Sequence, residues 1–317
     1  MKRVAVTGAT GFIGQRLCPF LQAAGFDVRI LIRDATLTDT TPTNVASSWS
    51  VSLGTAESVI GSLDQPASLE ELVRDVDAVV HAAGLVRGNS AAPFLQVNRD
   101  GTEALIQALS AVNPQAHCLL ISSLAAREPT LSWYAQSKRE AEARLAASTL
   151  RYTILRPPAV YGPGDKEMQA IFASMARGFA PVPGSRQART ALLHVDDLVR
   201  AISQCLGNEN VLGQCFELHD GRANGYEWQD LADTAAHVYG RPVRLVNLPG
   251  WLLDTVATLN LVCGRLLRRP AMLTPPKLRE LRHRDWTASN TAITAATGWT
   301  PAITLHAGLE SLVQTAQ

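Results

Sequence analysis

The segment Thr7 to Gly14, TGATGFIG, places three glycines between an apolar run, RVAVT, and a helix predicted to begin near Phe12. A strand, a glycine-rich turn and a helix in this order are typical of the phosphate-binding start of a dinucleotide-binding unit. We expect Gly8 to permit the tight turn and Gly11 to let the backbone approach a pyrophosphate. Gly14 would allow close packing of helix against strand, and the helix N-terminus would face the phosphates. The alternative is a purely structural glycine turn.

Through the first half of the chain, apolar runs of strand length alternate with segments of helix length. The runs RVAVT, FDVRILI, DAVVH, HCLLIS and RYTILR are separated by stretches such as Phe12 to Ala24, Ala92 to Ala111 and Trp133 to Ala147. Aliphatic and β-branched runs of this kind are typical of parallel strands covered on both faces. We therefore predict an α/β fold with a doubly wound parallel sheet, the Rossmann arrangement. Residues 1–160 would form the dinucleotide-binding domain, and residues 161–317 mainly a smaller substrate-binding region, with some segments free to return to the sheet.

The composition favours a protein that binds small molecules. With 29 lysines and arginines against 28 acidic residues, the formal net charge of +1 gives no basis for nucleic-acid binding. Five widely spaced cysteines without a CxxC pair indicate buried thiols in a reducing compartment. The apolar stretch in MKRVAVTG is too short for a signal peptide, and no segment reaches the ~20 apolar residues of a membrane span. We expect a cytoplasmic protein without a metal, since the seven histidines show no HExxH-like spacing. The oligomeric state stays open, with a homodimer as one possibility.

Residues 249–284 differ in kind from the rest of the chain, because an apolar run of helix length is followed by a stretch rich in arginine and lysine. One interpretation is a helical hairpin packed over the site with a solvated basic face. The other is an interfacial patch in peripheral contact with a membrane, or the lining of a pocket for a lipophilic substrate. The sequence leaves both open.

Arg33 follows the second predicted strand, where dinucleotide-binding units usually carry an acidic residue that accepts hydrogen bonds from a ribose 2′-hydroxyl. A guanidinium suits a 2′-phosphate instead, because its planar fork pairs with the extra charged oxygens. The sequence therefore favours NADP(H), while the neighbouring Asp34 keeps NAD(H) open.

A second set of chemistry-bearing residues lies in ISSLAAREPTLSWYAQSK. Tyr134 and Lys138 are four residues apart in a predicted helix, so they share one helix face. An ammonium beside a phenol favours the phenolate, which makes Tyr134 a candidate acid–base group near neutral pH. Ser122 and Ser123 end the preceding strand, at the sheet edge where ligands bind in open α/β folds.

Together with the opening glycines, these residues resemble the extended branch of the short-chain dehydrogenase/reductase superfamily, which includes NAD-dependent epimerases and dehydratases, 3β-hydroxysteroid dehydrogenases and dihydroflavonol reductases. Further marks are VVHAAG, VNRDGT, LRPPAVYGPGD and LLHVDDLVRAI. The resemblance implies that Ser123 hydrogen-bonds the substrate oxygen and that Tyr134 gives or takes its proton. It also implies that Lys138 binds the nicotinamide ribose and lowers the pKa of Tyr134. The cofactor-binding residues expected from the motifs and the resemblance are Gly8, Gly11, Phe12, Ile13, Gly14, Arg33, Leu63, Ala82, Ala83, Gly84, Ser122, Tyr134, Lys138, Pro157 and Val160.

Two departures from the pattern of this branch bear on the ligands. Its epimerases usually carry an arginine four residues before the histidine of the HVDD-like segment, where it grips a diphosphate. Here that position is Thr190, and Arg189 lies one place away. A slip of one residue reverses the face of a strand, so a nucleotide-diphosphate substrate is disfavoured. The GDL segment expected near the adenine is GSL here, Gly61 to Leu63.

Two further polar positions have simpler interpretations. Asn98 in VNRDGT is expected to be a structural anchor rather than part of a proton relay. Asp196 or Asp197 is expected to cap the helix DDLVRAISQCL.

The sequence thus carries three hypotheses about function. The first is an NADP(H)-dependent oxidoreductase that moves a hydride between nicotinamide and a carbonyl or secondary alcohol of a fairly lipophilic substrate. The second is a nucleotide-sugar epimerase or dehydratase. The third is a non-catalytic NAD(P)-binding subunit or sensor, since a fold does not fix function.

Overall fold

The computed structural model describes residues 3–33, 56–271 and 273–315. Short strands and helices alternate along most of this length. The strands are β1 (Arg3–Thr7), β2 (Asp27–Ile32), β3 (Glu57–Ile60), β4 (Ala78–His81), β5 (His117–Ile121), β6 (Tyr152–Arg156), β7 (Ala159–Tyr161), β8 (Phe179–Val182), β9 (Arg189–Thr190), β10 (Leu192–His194), β11 (Gln214–Glu217), β12 (Arg244–Asn247) and β13 (Asp285–Trp286).

The helices alternate with the strands along the chain and cover both faces of the central sheet. They are α1 (Phe12–Ala23), α2 (Pro66–Val73), α3 (Ala91–Phe94), α4 (Gly101–Val112), α5 (Trp133–Ala146), α6 (Met168–Ala176), α7 (Val195–Cys205), α8 (Trp228–Tyr239), α9 (Gly250–Leu266), α10 (Pro275–Leu281), α11 (Thr291–Thr297) and α12 (Leu305–Thr315). A π-helical segment, Leu95–Asp100, joins α3 to α4.

Seven parallel strands form the central sheet, in the order β3-β2-β1-β4-β5-β6-β11. In β1, Val4 and Val6 pack on the side of α1 and α7, whereas Ala5 packs on the side of α2, α4 and α5. This alternation with a period of two residues buries both faces of the sheet. The predicted doubly wound parallel sheet is confirmed.

The strand order places a crevice beside β1. The chain steps outward from β1 to β2 and β3, and then returns to β4 on the other side of β1. In open α/β sheets, ligands bind outside the carboxyl ends of the strands at this kind of reversal. The end of β1 at Thr7 and the end of β4 at His81 therefore mark the expected site.

Several element boundaries differ from the sequence-based expectation. The helix expected over Ala92 to Ala111 consists of α3, the π-helical segment and α4. The four-residue edge strand β3 was not among the predicted runs, and β11 adds to the sheet beside β6, with Cys215 opposite Ile154.

The start of α7 differs from the prediction that Asp196 or Asp197 caps this helix. The helix begins at Val195, and its N-cap is His194, whose Nδ1 accepts a hydrogen bond from the backbone N–H of Asp196 at 3.3 Å. Asp197 is buried and instead accepts hydrogen bonds from the N–H groups of Ala302 and Ile303. The prediction was wrong because the Asp197 carboxylate binds backbone N–H groups of a loop that is distant in sequence.

The segment after β12 forms a helical hairpin, in which α9 packs against α10 through Leu253, Ala257 and Leu278. Within the described ranges, no helix has the length and apolar character needed to cross a bilayer. The expectation of buried thiols holds for Cys18, Cys118 and Cys205. Cys215, on the outermost strand β11, and Cys263, on the outer side of α9, are exposed.

Candidate active site

The glycine-rich turn after β1 brings two backbone segments into unusually close contact. Gly8 has a φ of +76°, and a Cβ atom there would lie 2.6 Å from Ala83 N and 2.7 Å from the carbonyl carbon of Ala82. A Cβ atom at Gly14 would lie 2.2 Å from Gly8 O. Only glycine fits either position without a shift of backbone. Gly8 lets the turn pack directly against the residues that follow β4, and Gly14 lets α1 pack directly against the turn.

The first turn of α1 leaves its backbone N–H groups available. Gly11 is the N-cap and supplies no side-chain cap, and the first turn contains no acidic residue. Ile13 packs against the core, while Phe12 stays partly exposed. A helix terminus of this kind attracts anions through free N–H groups and the positive end of its dipole. The turn therefore fits the pyrophosphate of a dinucleotide.

A buried chain of hydrogen bonds joins the ends of β1 and β4. The N–H of Ala83 donates to Thr7 Oγ1 at 3.3 Å, which lies 2.7 Å from His81 Nδ1. His81 Nε2 lies 3.0 Å from Thr102 Oγ1, which donates to the carbonyl of Asn98 at 2.6 Å. Because Thr102 already donates to Asn98, His81 Nε2 carries a proton and donates to Thr102. Burial, aided by the charge of Lys138, lowers the pKa of His81 to about 3.

Thr7, His81 and Thr102 were not among the predicted site residues. Each lies within a quoted motif, TGATGFIG, VVHAAG or VNRDGT. The signal that could have identified them is a histidine at the end of an otherwise apolar strand, because a buried imidazole needs partners on both nitrogens.

The strip Ala82 to Gly84 lies directly over polar side chains. A Cβ atom at Gly84 would lie 3.2 Å from both Asn98 Oδ1 and Lys138 Nζ. The N–H of Leu85 donates to Asn98 Oδ1 at 2.7 Å, and Asn98 Nδ2 donates to Leu85 O at 3.0 Å. Asn98 Nδ2 also lies 2.8 Å from Ser137 Oγ. These bonds tie Asn98 to the backbone of Leu85, as expected of a structural anchor.

Ser123, Tyr134 and Lys138 meet where β5 ends and α5 begins. The Ser123 hydroxyl lies close enough to the phenol of Tyr134 to lower its pKa. Lys138 is buried, and its Nζ donates to the carbonyl of Ile121 at 2.8 Å. Burial lowers the pKa of Lys138 to about 8, while the carboxylate of Glu142 opposes this shift. The three predicted catalytic side chains are therefore brought together.

The ionisation of Tyr134 differs from the expectation that Lys138 lowers its pKa. Burial raises the pKa of the phenol to about 12; the nearby Ser123 hydroxyl opposes this rise, and the carboxylates of Glu280 and Glu167 add to it. The ammonium of Lys138 is directed to a backbone carbonyl, and the cost of desolvating a phenolate is larger than the stabilisation expected from the ammonium. Tyr134 is consequently a protonated acid at neutral pH.

A buried carboxylate supports this cluster from behind. Glu142 accepts a hydrogen bond from Ser122 Oγ at 2.6 Å and a bidentate pair from Arg156 at 2.8 and 2.6 Å. The Ser122 hydroxyl, which we predict to contact the cofactor, donates to Glu142 here. Sequence reasoning missed Glu142, although its place four residues after Lys138 puts it on the same helix face.

The helix α10 closes one side of the cleft next to Tyr134. Ser132 Oγ donates to Glu280 at 2.6 Å, and Lys277 Nζ lies 5.8 Å from the centre of the Tyr134 ring. Phe94 contacts the same ring edge to face, with 6.4 Å between ring centres. Other side chains that line this cleft belong to Val86, Arg87, Trp133, Ala271, Thr274 and Pro276.

The remaining predicted cofactor residues lie at the same sheet edge. Arg33 is exposed immediately after β2, whereas Asp34 falls outside the described residues. A Cβ atom at Gly101 would lie 2.7 Å from Leu63, which places Leu63 against α4. Pro157 O accepts a hydrogen bond from the N–H of Leu124 at 2.8 Å, and Val160 packs partly against the core. Parallel strands present their carboxyl ends together, so residues far apart in sequence converge here.

The two residues at the expected diphosphate-gripping position are both engaged elsewhere. Arg189 forms a partly exposed ion pair with Asp285 at 3.0 Å. Thr190 exchanges two backbone hydrogen bonds with Tyr226, at 2.9 and 2.8 Å. Where relatives are expected to carry a diphosphate-binding arginine, this strand therefore makes contacts within the protein itself.

Comparison with known proteins agrees with this geometry. Residues 4–216 match the NAD dependent epimerase/dehydratase family. The ceramide reductase of Caulobacter vibrioides is 38% identical over 288 residues, which cover 90% of this chain and 86% of that protein. The structure of MoeE5 in complex with UDP-glucuronic acid and NAD is similar with a TM-score of 0.72 at 20% identity, covering 99% of this chain and 100% of that chain. The structure of RMD from Pseudomonas aeruginosa complexed with NADPH has a TM-score of 0.67 at 22% identity, covering 99% and 98%. The chain belongs to the NAD-dependent epimerase/dehydratase family and is an NAD(P)-dependent enzyme of the extended short-chain dehydrogenase/reductase type.

Proposed function

We propose that the protein is an NADP(H)-dependent reductase of a keto group on a lipophilic substrate of the ceramide type. The observation that carries this proposal is the Ser123–Tyr134 pair, whose phenol is protonated at neutral pH, next to a cleft lined by both apolar and polar side chains. A protonated phenol at this place suits the reduction of a carbonyl, because the oxygen of the ketone needs a proton as it becomes an alcohol.

In the proposed reaction, the side chains of the cluster divide the work on the substrate oxygen. The Ser123 hydroxyl holds the carbonyl oxygen beside Tyr134, and Tyr134 donates its proton to that oxygen. The bound nicotinamide supplies the hydride that completes the reduction. The Ser123 hydroxyl lies near the phenol of Tyr134, so the two groups are placed together before the substrate arrives.

The residues proposed to hold the cofactor fit it in shape and charge. The glycine turn and the free first turn of α1 suit the pyrophosphate. Lys138 has three N–H donors, of which Ile121 takes one, and those that remain suit the hydroxyls of the nicotinamide ribose. The exposed guanidinium of Arg33 suits a 2′-phosphate, which is the basis for proposing NADP(H) rather than NAD(H).

Three observations support a lipophilic substrate. The cleft beside Tyr134 includes Phe94, Trp133, Ala271 and Pro276 among its walls. The strand that would carry a diphosphate-gripping arginine has its arginine paired with a carboxylate. A relative that matches 90% of the chain at 38% identity is a ceramide reductase. We accordingly propose that residues 1–160 mainly hold the cofactor and residues 161–317 mainly complete the substrate site.

The test is a comparison of substrates with purified protein. A short-chain, water-soluble N-acyl 3-keto long-chain base, simple ketones of graded length, and UDP-sugars would be supplied with NADPH or NADH. Nicotinamide absorbance and mass spectrometry of the products would be recorded, with Tyr134→Phe as the inactive control. We expect reduction of the keto lipid, and a specificity constant that rises with the length of the apolar chain. Conversion of a UDP-sugar without net oxidation of the cofactor, together with no reduction of the keto lipid, would contradict the proposal and favour an epimerase.

A further inference from the structure

The outward side of α9 is apolar although it faces solvent. Trp251 is 71% exposed, Leu259 59% and Leu266 77%, whereas the opposite side buries Ala257 and Gly264. Further exposed apolar side chains on and just after this helix are those of Leu252, Val256, Val262 and Leu267. We call these seven residues the α9 face.

The α9 face is a continuous surface rather than a set of scattered side chains. At about 100° per residue, its members fill an arc of about 160° around the helix, together with Thr255 and Cys263. The charged residues of α9, Asp254 and Arg265, both lie outside this arc. A helix on the surface of a water-soluble protein normally presents polar side chains there, and an extended apolar patch marks an interaction site.

The charges around the α9 face are basic. Arg265, Arg268 and Arg269 are exposed at its C-terminal end. Within the described chain, these three arginines form no ion pair, and the acids nearest to them in sequence, Asp254 and Glu280, are paired with Arg282 at 2.8 Å and with Lys277 at 2.5 Å. Apolar side chains flanked by arginines match a membrane surface, where the apolar groups enter the headgroup region and the arginines meet anionic lipids.

The C-terminal end of α9 is fastened to the walls of the cleft. Asn89 Nδ2 donates to Arg269 O at 2.8 Å, and the N–H of Ala271 donates to Asn89 Oδ1 at 2.8 Å. Arg265 Nε donates to Asn89 O at 3.1 Å. Ala271 lines the cleft next to Tyr134, so a short stretch of chain joins the α9 face to the reacting groups.

We propose that the α9 face docks the protein on an anionic bilayer, from which a lipid substrate enters the cleft beside Tyr134. The entry of substrate rests on the proposed function, whereas the docking does not. A second copy of the chain is a less suitable occupant, because its own α9 would offer the arginines only Asp254, which is already paired.

The first experiment measures co-sedimentation of the full chain with vesicles of phosphatidylcholine, alone or mixed with phosphatidylglycerol. We expect binding to the anionic vesicles that weakens as salt is added. The double variant Leu259→Gln with Leu266→Gln should lose at least tenfold in affinity. Arg268→Gln and Arg269→Gln should each lose about fivefold. The matched control is Ile60→Gln on the edge strand β3, where a 51% exposed aliphatic side chain should be replaceable without effect.

A second measurement uses Cys263, which lies within the arc of the α9 face. In a Cys215→Ser background, an environment-sensitive dye on Cys263 should shift to shorter wavelength with anionic vesicles and stay unchanged with phosphatidylcholine alone. The buried thiols of Cys18, Cys118 and Cys205 should not compete, because burial raises the pKa of each to about 12.

Three outcomes would overturn the docking. These are absence of vesicle binding, equal loss of binding in Ile60→Gln, and conversion of a dimer to a monomer by the Leu259 and Leu266 substitutions without any vesicle binding. The last outcome would assign the α9 face to contact between copies. Reduction of the soluble keto lipid without vesicle binding would contradict the docking and leave the proposed function standing. Vesicle binding without any ketone reduction would contradict the proposed function and leave the docking standing.

Discussion

The close approach of the glycine turn to the end of β4 can be measured by comparing two glycines with similar backbone conformations. Gly8 has a φ of +76° and Gly25 a φ of +86°. A Cβ atom at Gly8 would meet Ala82 and Ala83 at 2.6–2.7 Å, whereas one at Gly25 has no neighbour within 4 Å among the described atoms. Gly25→Ala therefore introduces only the conformational cost of a positive φ, while Gly8→Ala introduces that cost and a clash with backbone.

The expected magnitudes follow from these two terms. A non-glycine residue in the left-handed region costs about 1–2 kcal/mol, so Gly25→Ala should lower the free energy of unfolding by that amount. Overpacking adds about 1–3 kcal/mol, so Gly8→Ala should lower it by about 2–5 kcal/mol. Because relief of the clash must displace the turn or the strip Ala82 to Gly84, Gly8→Ala should also weaken binding of NADP(H). Gly25, at the other end of α1, should leave that binding unchanged.

Urea unfolding gives the free energies of unfolding, provided that their dependence on urea concentration has the same slope for the unmodified protein and both variants. Calorimetry gives the cofactor affinities. The reasoning is refuted if the two variants lose equal stability, or if Gly8→Ala binds NADP(H) as tightly as the unmodified protein. Either result would mean that the turn has room for a side chain and that its glycine serves φ alone.

Four side chains of the site give further tests. Tyr134→Phe should abolish turnover in an absorbance assay while NADP(H) affinity stays nearly intact, and retained activity would remove this phenol from the mechanism. We expect calorimetry to show that the unmodified protein binds NADP(H) more tightly than NAD(H), by on the order of 1.5–3 kcal/mol. Arg33→Ala should reduce this difference. Equal affinities of the unmodified protein for the two cofactors would contradict the role of Arg33 in binding a 2′-phosphate. Glu142→Gln should lower the free energy of unfolding by about 3 kcal/mol, because it leaves Arg156 without its anion, and a loss too small to detect in urea would show that water replaces the carboxylate. The pKa of Lys138 falls from 10.5 to about 8 on folding, so between these pH values the unfolded chain binds more protons and the free energy of unfolding rises with pH by about 3 kcal/mol. Lys138→Met should lack this rise. Identical pH profiles of unfolding for the variant and the unmodified protein would show that the ammonium is solvated.

The parts of the fold that follow local patterns were predictable. The run RVAVT coincides with β1, and the helix expected from Phe12 begins there, because the apolar period and the glycines are local signals. The convergence of Gly8, Ser123 and Tyr134 was also predictable, since parallel strands bring their carboxyl ends to one edge. The family and the fold class are confirmed, and the roles of the individual site residues stay predictions.

What depends on distant packing was not predictable. The pKa of Tyr134 rises because the folded site desolvates the phenol, and the carboxylate of Glu280 on α10 adds to the rise. Neither effect can be read from the residues around Tyr134 in the sequence. The cap of α7 was mistaken because the partners of Asp197 lie about a hundred residues away. Glu142 escaped notice since its partner Arg156 is on a strand that the helix period does not reveal.

The position of β11 at the edge of the sheet has a consequence for synthesis on the ribosome. β6 ends at Arg156, but the strand that covers its outer edge ends at Glu217, about 60 residues later. At 5–20 residues per second, the first six strands wait about 3–12 s for this last partner. During that interval the nascent chain carries an uncovered row of N–H and C=O groups on β6, which is a template for pairing with a neighbouring chain. The interval ends only when β11 leaves the exit tunnel and pairs with β6.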